Sequence, residues 1–173
     1  MKVSIVDNFF DDFSKVESYM KNTKLYKYKD HPESAVNTNE FWIGRRSLLL
    51  HRSNQDFFNL FWETFSKKFN NFSNQPLNLY SYLHLRLKQD GKEWIHKDDA
   101  DYSLLVYLSK TNFKSGTILY DEDENEILNV KYIQNRAFLF SSNYKHKSAG
   151  NFGNNKNNGR YTYNAWFRFQ SNR

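Results

Sequence analysis

The sequence predicts a mainly β, α+β fold: a double-stranded β-helix, or jelly roll, with N-terminal helices packed on its outer face. Hydrophobic residues recur at helical spacing in the first part of the chain, and from Leu79 onward they alternate with a period of two. About eight short strands after two helices are typical of this layered architecture. We therefore predict one domain over residues 1–173, with a helical and loop-rich part at 1–78 and a jelly-roll core at 79–169.

The N-terminal part begins with a predicted strand at residues 2–6, and residues 11–14 supply capping side chains for a helix that ends near Asn22. Residues 27–47 read as a long irregular segment. Its aromatic and arginine cluster at 41–46 either packs the loop or contacts substrate at the mouth of a site.

The clearest helix opens at the capping residues Ser53 and Asn54. Its apolar stripe has the spacing of a helix face that packs on a core, and we predict that role for Phe57, Leu60, Phe61, Thr64, Phe65 and Phe69. A polar break at 70–78, which contains Pro76, is expected to end the helical half.

From Leu79 the alternation predicts a strand with Tyr80, Tyr82, His84 and Arg86 on one face. We interpret His84 as a structural histidine, with substrate contact as the alternative. Further strands are predicted at 102–109, 118–120, 127–132 and 137–140. The five carboxylates within residues 121–126 lack the glycine and spacing of a calcium loop, so an exposed hairpin tip is expected.

The residues with the clearest chemistry are His96, Asp98 and His146. On a predicted strand at 94–98, His96 and Asp98 point to the same side, roughly 6 to 7 Å apart, whereas Asp99 points away. Two imidazoles and one carboxylate leave three positions open on an octahedral ion. We predict that these three residues bind a metal at a catalytic centre.

Arg160 follows His146 by fourteen residues, and its planar guanidinium can pair bidentately with a carboxylate. The turn-rich loop at 149–159 is expected to join two adjacent antiparallel strands, which would place Arg160 beside the metal. The predicted last strand directs one face to the pocket and the other to the helices; the pocket face consists of Arg160, Thr162, Asn164, Trp166 and Arg168.

This ordered set resembles the ligand and co-substrate signature of the Fe(II)/2-oxoglutarate-dependent oxygenases, in particular the prolyl-hydroxylase-like branch. Tyr107-Leu108 resembles a Tyr-Leu-Asn strand whose tyrosine contacts 2-oxoglutarate, with Ser109 in place of the asparagine. The segment at 116–119 resembles Gly-Gly-x-Leu, with Ser115 in place of the first glycine. Trp166 matches a tryptophan that lies beside the metal in some members.

The resemblance implies a dioxygenase that couples 2-oxoglutarate and O2 to hydroxylation of a C–H bond, first of all on a protein side chain such as proline. It implies Fe(II) at His96, Asp98 and His146, with ascorbate as an optional further cofactor. The residues it implies around 2-oxoglutarate are Arg160, Tyr107, Thr162, Asn164 and Trp166, with Tyr82 as a substitute for a tyrosine that the family has at the position of Arg86.

Composition and charge leave other functions open. Residues 131–173 hold eight Lys or Arg and no acidic residue, which suits a nucleic-acid partner as well as ordinary solubility. A nucleic-acid base or a free metabolite is therefore an alternative substrate, and a non-catalytic metal-binding jelly-roll module is the alternative class. The absence of cysteine excludes disulfides and thiolate chemistry. Because no apolar run reaches the length of a membrane span, a cytoplasmic protein without a membrane partner is expected.

Overall fold

Two antiparallel sheets form the frame of the computed structural model, which describes residues 2–32, 42–70 and 78–169. The strands are β1 (Val3–Val6), β2 (Tyr26–Lys27), β3 (Arg45–Arg46), β4 (Asn78–Arg86), β5 (Tyr102–Tyr107), β6 (Asn112–Tyr120), β7 (Glu126–Tyr132), β8 (Ala137–Ser141), β9 (Lys145–Ser148) and β10 (Arg160–Arg168). Within these ranges the major sheet has the order β1-β8-β5-β10-β4-β3-β2, and the minor sheet has the order β7-β6-β9. The predicted mainly β, two-sheet architecture is confirmed.

Two of the helices, α1 (Phe13–Asn22) and α3 (Gln55–Lys68), begin and end close to where the sequence predicts. Asp12 caps α1 by accepting a hydrogen bond from the backbone of Ser14, and Asn54 caps α3 in the same way through Phe57. A third helix, α2 (Leu50–Ser53), has four residues and was not predicted, because a single turn is too short to show helical periodicity.

The predicted apolar stripe of α3 packs on the outer face of the major sheet. The ring of Phe61 stacks on Tyr163 of β10 with 4.3 Å between centroids, and Phe65 stacks on Phe167 at 4.7 Å. All four rings are buried in one hydrophobic cluster. The outward face predicted for the last strand is therefore confirmed, and its opposite face is left for the space between the sheets.

We expect Phe61→Ala to destabilise the protein by about 3–5 kcal/mol, because it leaves a cavity under β10 where a fully buried ring now packs. The measurement is urea-induced unfolding followed by circular dichroism. Phe113→Ala is the matched control, since that ring is 65% exposed and its removal should change the free energy of unfolding far less. Equal losses in the two variants would contradict the packing described here.

The prediction that residues 27–47 form an irregular segment was partly wrong. This segment contributes Lys27 to β2 and both residues of β3, which extend the major sheet beyond β4. Two residues are too few to show the alternation of apolar and polar side chains by which a strand is predicted, because such short strands are defined by pairing with a distant strand. Phe41, Pro76 with most of the polar break, and Arg173 lie outside the described residues.

Two other expectations about the chain path were wrong. Residues 94–98 form no regular strand, since only His96 makes a bridge, opposite His146. The loop at 149–159 does not join adjacent strands, because β9 pairs with β6 in the minor sheet while β10 pairs with β4 and β5 in the major sheet. It carries the chain from one sheet to the other.

The acidic segment at 121–126 consists of the exposed turn between β6 and β7 and the first residue of β7, as the predicted hairpin tip requires. Lys97 and Lys145 form ion pairs with Glu122 and Glu124, so two of its charges are compensated within the chain. Among the helices of the described ranges, none has the length and apolar character needed to cross a bilayer.

Candidate active site

A cleft of about 990 Å³ lies above the inner face of the major sheet, and the register of β3, β4, β10 and β5 sets its floor. Arg86 lies opposite Arg160 in one row of paired residues. In the next row the register runs across the sheet through Arg46, His84, Thr162 and Tyr107. Tyr82 and Asn164 form the row after that, followed by Tyr80, Trp166 and Ser103.

The three predicted metal ligands line this cleft and lie close together. Their ligand atoms all lie within 4.8 Å of one another. The Nε2 atom of His96 lies 3.6 Å from Asp98 Oδ1, and the Nε2 atom of His146 lies 3.3 Å from Asp98 Oδ2. The bridge between His96 and His146 puts the two imidazoles directly opposite each other, because each backbone N–H donates to the other's carbonyl, at 3.1 and 2.8 Å.

Hydrogen bonds at the far side of each imidazole fix how the pair can bind a cation. The Nδ1 atom of His96 lies 3.1 Å from the carbonyl oxygen of Trp94, and that of His146 lies 3.3 Å from the carbonyl of Tyr144. A carbonyl can only accept, so both contacts favour the tautomer with its proton on Nδ1. Each Nε2 lone pair then faces a carboxylate oxygen, an arrangement that a bound cation stabilises. The donor set therefore fits Fe(II).

Asp98 is held in its charged form. Burial opposes ionisation, but His146, His96 and a hydrogen bond from Ser103 together hold the pKa of Asp98 well below its ordinary value. Ser103 Oγ lies 2.6 Å from Asp98 Oδ2 and 2.7 Å from the hydroxyl of Ser142. Burial lowers the pKa of His146, whereas Asp98 and Glu93 outweigh burial at His96 and raise its pKa.

Arg160 lines the same cleft and is buried, 4% exposed. Its Nη2 donates to the carbonyl of Gly116 at 3.1 Å, while its Nε has no hydrogen-bond partner among the described residues. Gly116 has φ of +154°, and a Cβ there would lie 2.1 Å from the carbonyl oxygen of Val130. Only glycine fits this approach of β6 to β7, which orients the carbonyl that holds the guanidinium.

The remaining predicted residues surround this centre at different depths. Thr162, Asn164, Trp166 and Tyr82 line the cleft, as the alternation of β4 and β10 predicts. Tyr107 is fully buried beneath it, where its hydroxyl donates to Thr117 at 2.9 Å, and burial raises its pKa to about 12. Thr117 itself lines the cleft.

Sequence reasoning missed a buried ion pair between Arg86 and Glu93. One oxygen of Glu93 accepts from Arg86, and the other accepts from the backbone N–H of Ser148 at 2.7 Å, which ties the segment before His96 to β9. Burial raises the pKa of Glu93, but Arg86 outweighs it and lowers that pKa to about 2. The available signal was Arg86 itself, a charged residue on the strand face that also carries Tyr82 and His84.

The solved structures that share this fold include prolyl hydroxylases and a member of the 2OG-Fe(II) oxygenase family. A prolyl-4-hydroxylase from Pseudomonas putida matches 98% of this chain and 93% of its own, with a TM-score of 0.60 and 13% identity. An oxidoreductase of the 2OG-Fe(II) oxygenase family from Burkholderia pseudomallei matches 96% of this chain and 84% of its own, with a TM-score of 0.65 and 11% identity.

A viral collagen prolyl hydroxylase from Paramecium bursaria Chlorella virus-1, solved with 2OG, matches 99% of this chain and 97% of its own, with a TM-score of 0.63 and 11% identity. No protein-family model and no curated protein sequence matches this chain. The resemblance stated from the sequence is confirmed at the level of fold, and the predicted jelly roll is confirmed with it.

Proposed function

We propose that this chain is an Fe(II)- and 2-oxoglutarate-dependent dioxygenase that hydroxylates a C–H bond, with a protein side chain such as proline as the first candidate. The observation that carries the proposal is the convergence of His96, Asp98 and His146 in a cleft that also contains Arg160. The similarity to proteins named prolyl-4-hydroxylase and collagen prolyl hydroxylase supports a protein substrate.

Each residue has a distinct part in this proposal. His96, Asp98 and His146 would hold Fe(II), which when bound supplies O2 activation coupled to oxidation of 2-oxoglutarate to succinate and CO2. Arg160 would bind the distal carboxylate of 2-oxoglutarate, because its buried guanidinium is permanently charged and already oriented by Gly116. The protein's contribution is to orient the bound groups and to exclude water from the cleft.

The decisive experiment measures succinate released from 2-oxoglutarate by the full chain with Fe(II) and O2. Mass spectrometry of proline-containing peptides from the same reaction then looks for a gain of one oxygen. We expect Fe(II)-dependent succinate release that a peptide substrate stimulates. Binding of Fe(II) without any succinate release across peptide, nucleic-acid and metabolite pools would instead favour the non-catalytic module.

We expect Arg160→Met to weaken 2-oxoglutarate binding at least about 100-fold, because a charge-assisted bidentate pair in a buried site is lost. Calorimetric titration of 2-oxoglutarate into the metal-loaded protein measures this directly. Arg136→Met is the control, since that guanidinium pairs with Asp7 outside the cleft. Unchanged affinity in Arg160→Met would remove this residue from the proposal.

The alternative substrates stay open, with less support for nucleic acid. Three of the eight Lys or Arg in residues 131–173 already pair with carboxylates of this chain: Arg136 with Asp7, Lys145 with Glu124 and Arg168 with Asp99. A free metabolite would fit the same cleft. We leave ascorbate out of the proposal, because no feature of the described residues supports it.

A further inference from the structure

Part of the cleft floor has no role in the reaction proposed above. Arg46 on β3 pairs with His84 on β4. Because β4 lies between β3 and β10, Arg46 is separated by one strand from the strand that carries Arg160. The guanidinium carbon of Arg46 lies 4.3 Å from the ring centroid of Trp42, 4.7 Å from that of Tyr82 and 5.5 Å from that of Trp166. Three aromatic rings thus hold the cation at a defined place on the cleft floor.

Two buried polar side chains beside Arg46 have an atom without a hydrogen-bond partner among the described residues. These atoms are Nε2 of His84, which is 3% exposed, and Oδ1 of Asn164, which is 9% exposed. Both residues line the cleft. A buried polar atom without a hydrogen-bond partner is unfavourable, so a ligand that satisfies both atoms would remove that cost.

The charge of the cleft indicates the sign of that ligand. The described residues that line it include six Lys or Arg and three Asp or Glu; one of the six, Lys97, pairs with Glu122 outside the cleft, which leaves an excess of two positive charges. Fe(II) and 2-oxoglutarate, with opposite charges of two, would leave this excess unchanged. Burial and then the charges of Arg46, Arg86 and Arg160 hold the pKa of His84 well below its ordinary value, so the imidazole is neutral near pH 7 and adds no charge of its own.

We propose that Arg46 and His84 form a second anion subsite, distinct from Arg160, which binds a carboxylate or phosphate group of the primary substrate. Arg46 supplies charge and a planar set of donors, and His84 supplies one further hydrogen bond. Asn164 Oδ1 accepts from an N–H or O–H group of the same substrate. This inference rests on the proposed function in one respect: the bound anion fixes which C–H bond faces the metal.

The test follows the His84 ring by NMR in the full chain with labelled histidines, loaded with Zn(II) and saturating 2-oxoglutarate. Inorganic phosphate is titrated in one arm and acetate in the other, with sodium chloride keeping the ionic strength constant. We expect the His84 signal, assigned by its loss in His84→Gln, to shift saturably in at least one arm. The arm with the tighter binding distinguishes a phosphate from a carboxylate substrate.

Arg46→Gln should weaken that binding at least tenfold, whereas Arg45→Gln should leave it unchanged, because Arg45 alternates to the other face of β3. The subsite is refuted if neither anion shifts His84 saturably, if the two arginine variants weaken binding equally, or if the shift appears only when 2-oxoglutarate is omitted. If 2-oxoglutarate fails to bind, Arg160 is open to the titrated anion, so the titration is repeated in Arg160→Met, where only the Arg46 subsite is left. Failure of 2-oxoglutarate to bind would count against the proposed function and not against the subsite.

Discussion

Asp98→Asn is expected to lower Fe(II)- and 2-oxoglutarate-dependent turnover by more than about 100-fold. Removal of a residue that only hydrogen-bonds a metal ligand typically costs about 10–100-fold, so a larger loss indicates a direct ligand. The asparagine keeps the shape of the side chain and can still accept a hydrogen bond from Ser103. It removes the negative charge that both imidazoles face. Metal affinity, measured by competition with a chelating dye, should fall together with succinate release.

Asp99→Asn is the matched control, since the two carboxylates are adjacent in sequence. The side chain of Asp99 is 87% exposed and pairs with Arg168, whereas that of Asp98 is 14% exposed. We expect metal affinity within twofold of the unaltered protein in the control. Retention of Fe(II) by Asp98→Asn, or an equal loss in Asp99→Asn, would overturn the assignment of the carboxylate ligand.

The sequence identified Asp98 for a reason that the structure corrects. Alternation on a strand was the argument, yet residues 94–98 make only the bridge at His96. The argument still selected the carboxylate that lies beside both imidazoles, whereas that of Asp99 is exposed. The sequence also predicted His146 as a ligand of the same ion, but it did not predict that the backbone of His146 bridges His96, since that pairing depends on how two distant segments meet.

The residues that sequence reasoning missed share one property. Arg46 was read as part of an irregular loop whose aromatic and arginine cluster either packs the loop or contacts substrate, and Glu93 was not considered, because neither belongs to a local pattern. Their roles depend on register between strands far apart in the chain: β3 on β4 for Arg46, and Ser148 of β9 for Glu93. Periodicity assigns a residue to a face of a strand, but it does not say which strand lies alongside.

Glu93→Gln is expected to destabilise the protein by about 3–5 kcal/mol near pH 7, because it leaves the buried guanidinium of Arg86 without a counter-charge. Both side chains are largely buried, 12% exposed for Glu93 and 9% for Arg86. Arg86 also lies opposite Arg160, so removing the carboxylate increases the repulsion between two like charges. Urea-induced unfolding at pH 7 measures the change. Glu122→Gln is the control, since its pair with Lys97 is exposed and should contribute far less.

The pH dependence distinguishes a lost charge from a lost shape. In the folded protein the pKa of Glu93 is lowered to about 2 from an ordinary value of 4.5, so its charge stabilises the fold fully above pH 4.5. That contribution is lost as the pH falls from 4.5 toward 2, because a protonated glutamate resembles glutamine. The difference in unfolding free energy between Glu93→Gln and the unaltered protein should therefore be smaller at pH 3 than at pH 7. An equal difference at both values would mean that the lost stability comes from packing and not from the ion pair of Glu93 with Arg86.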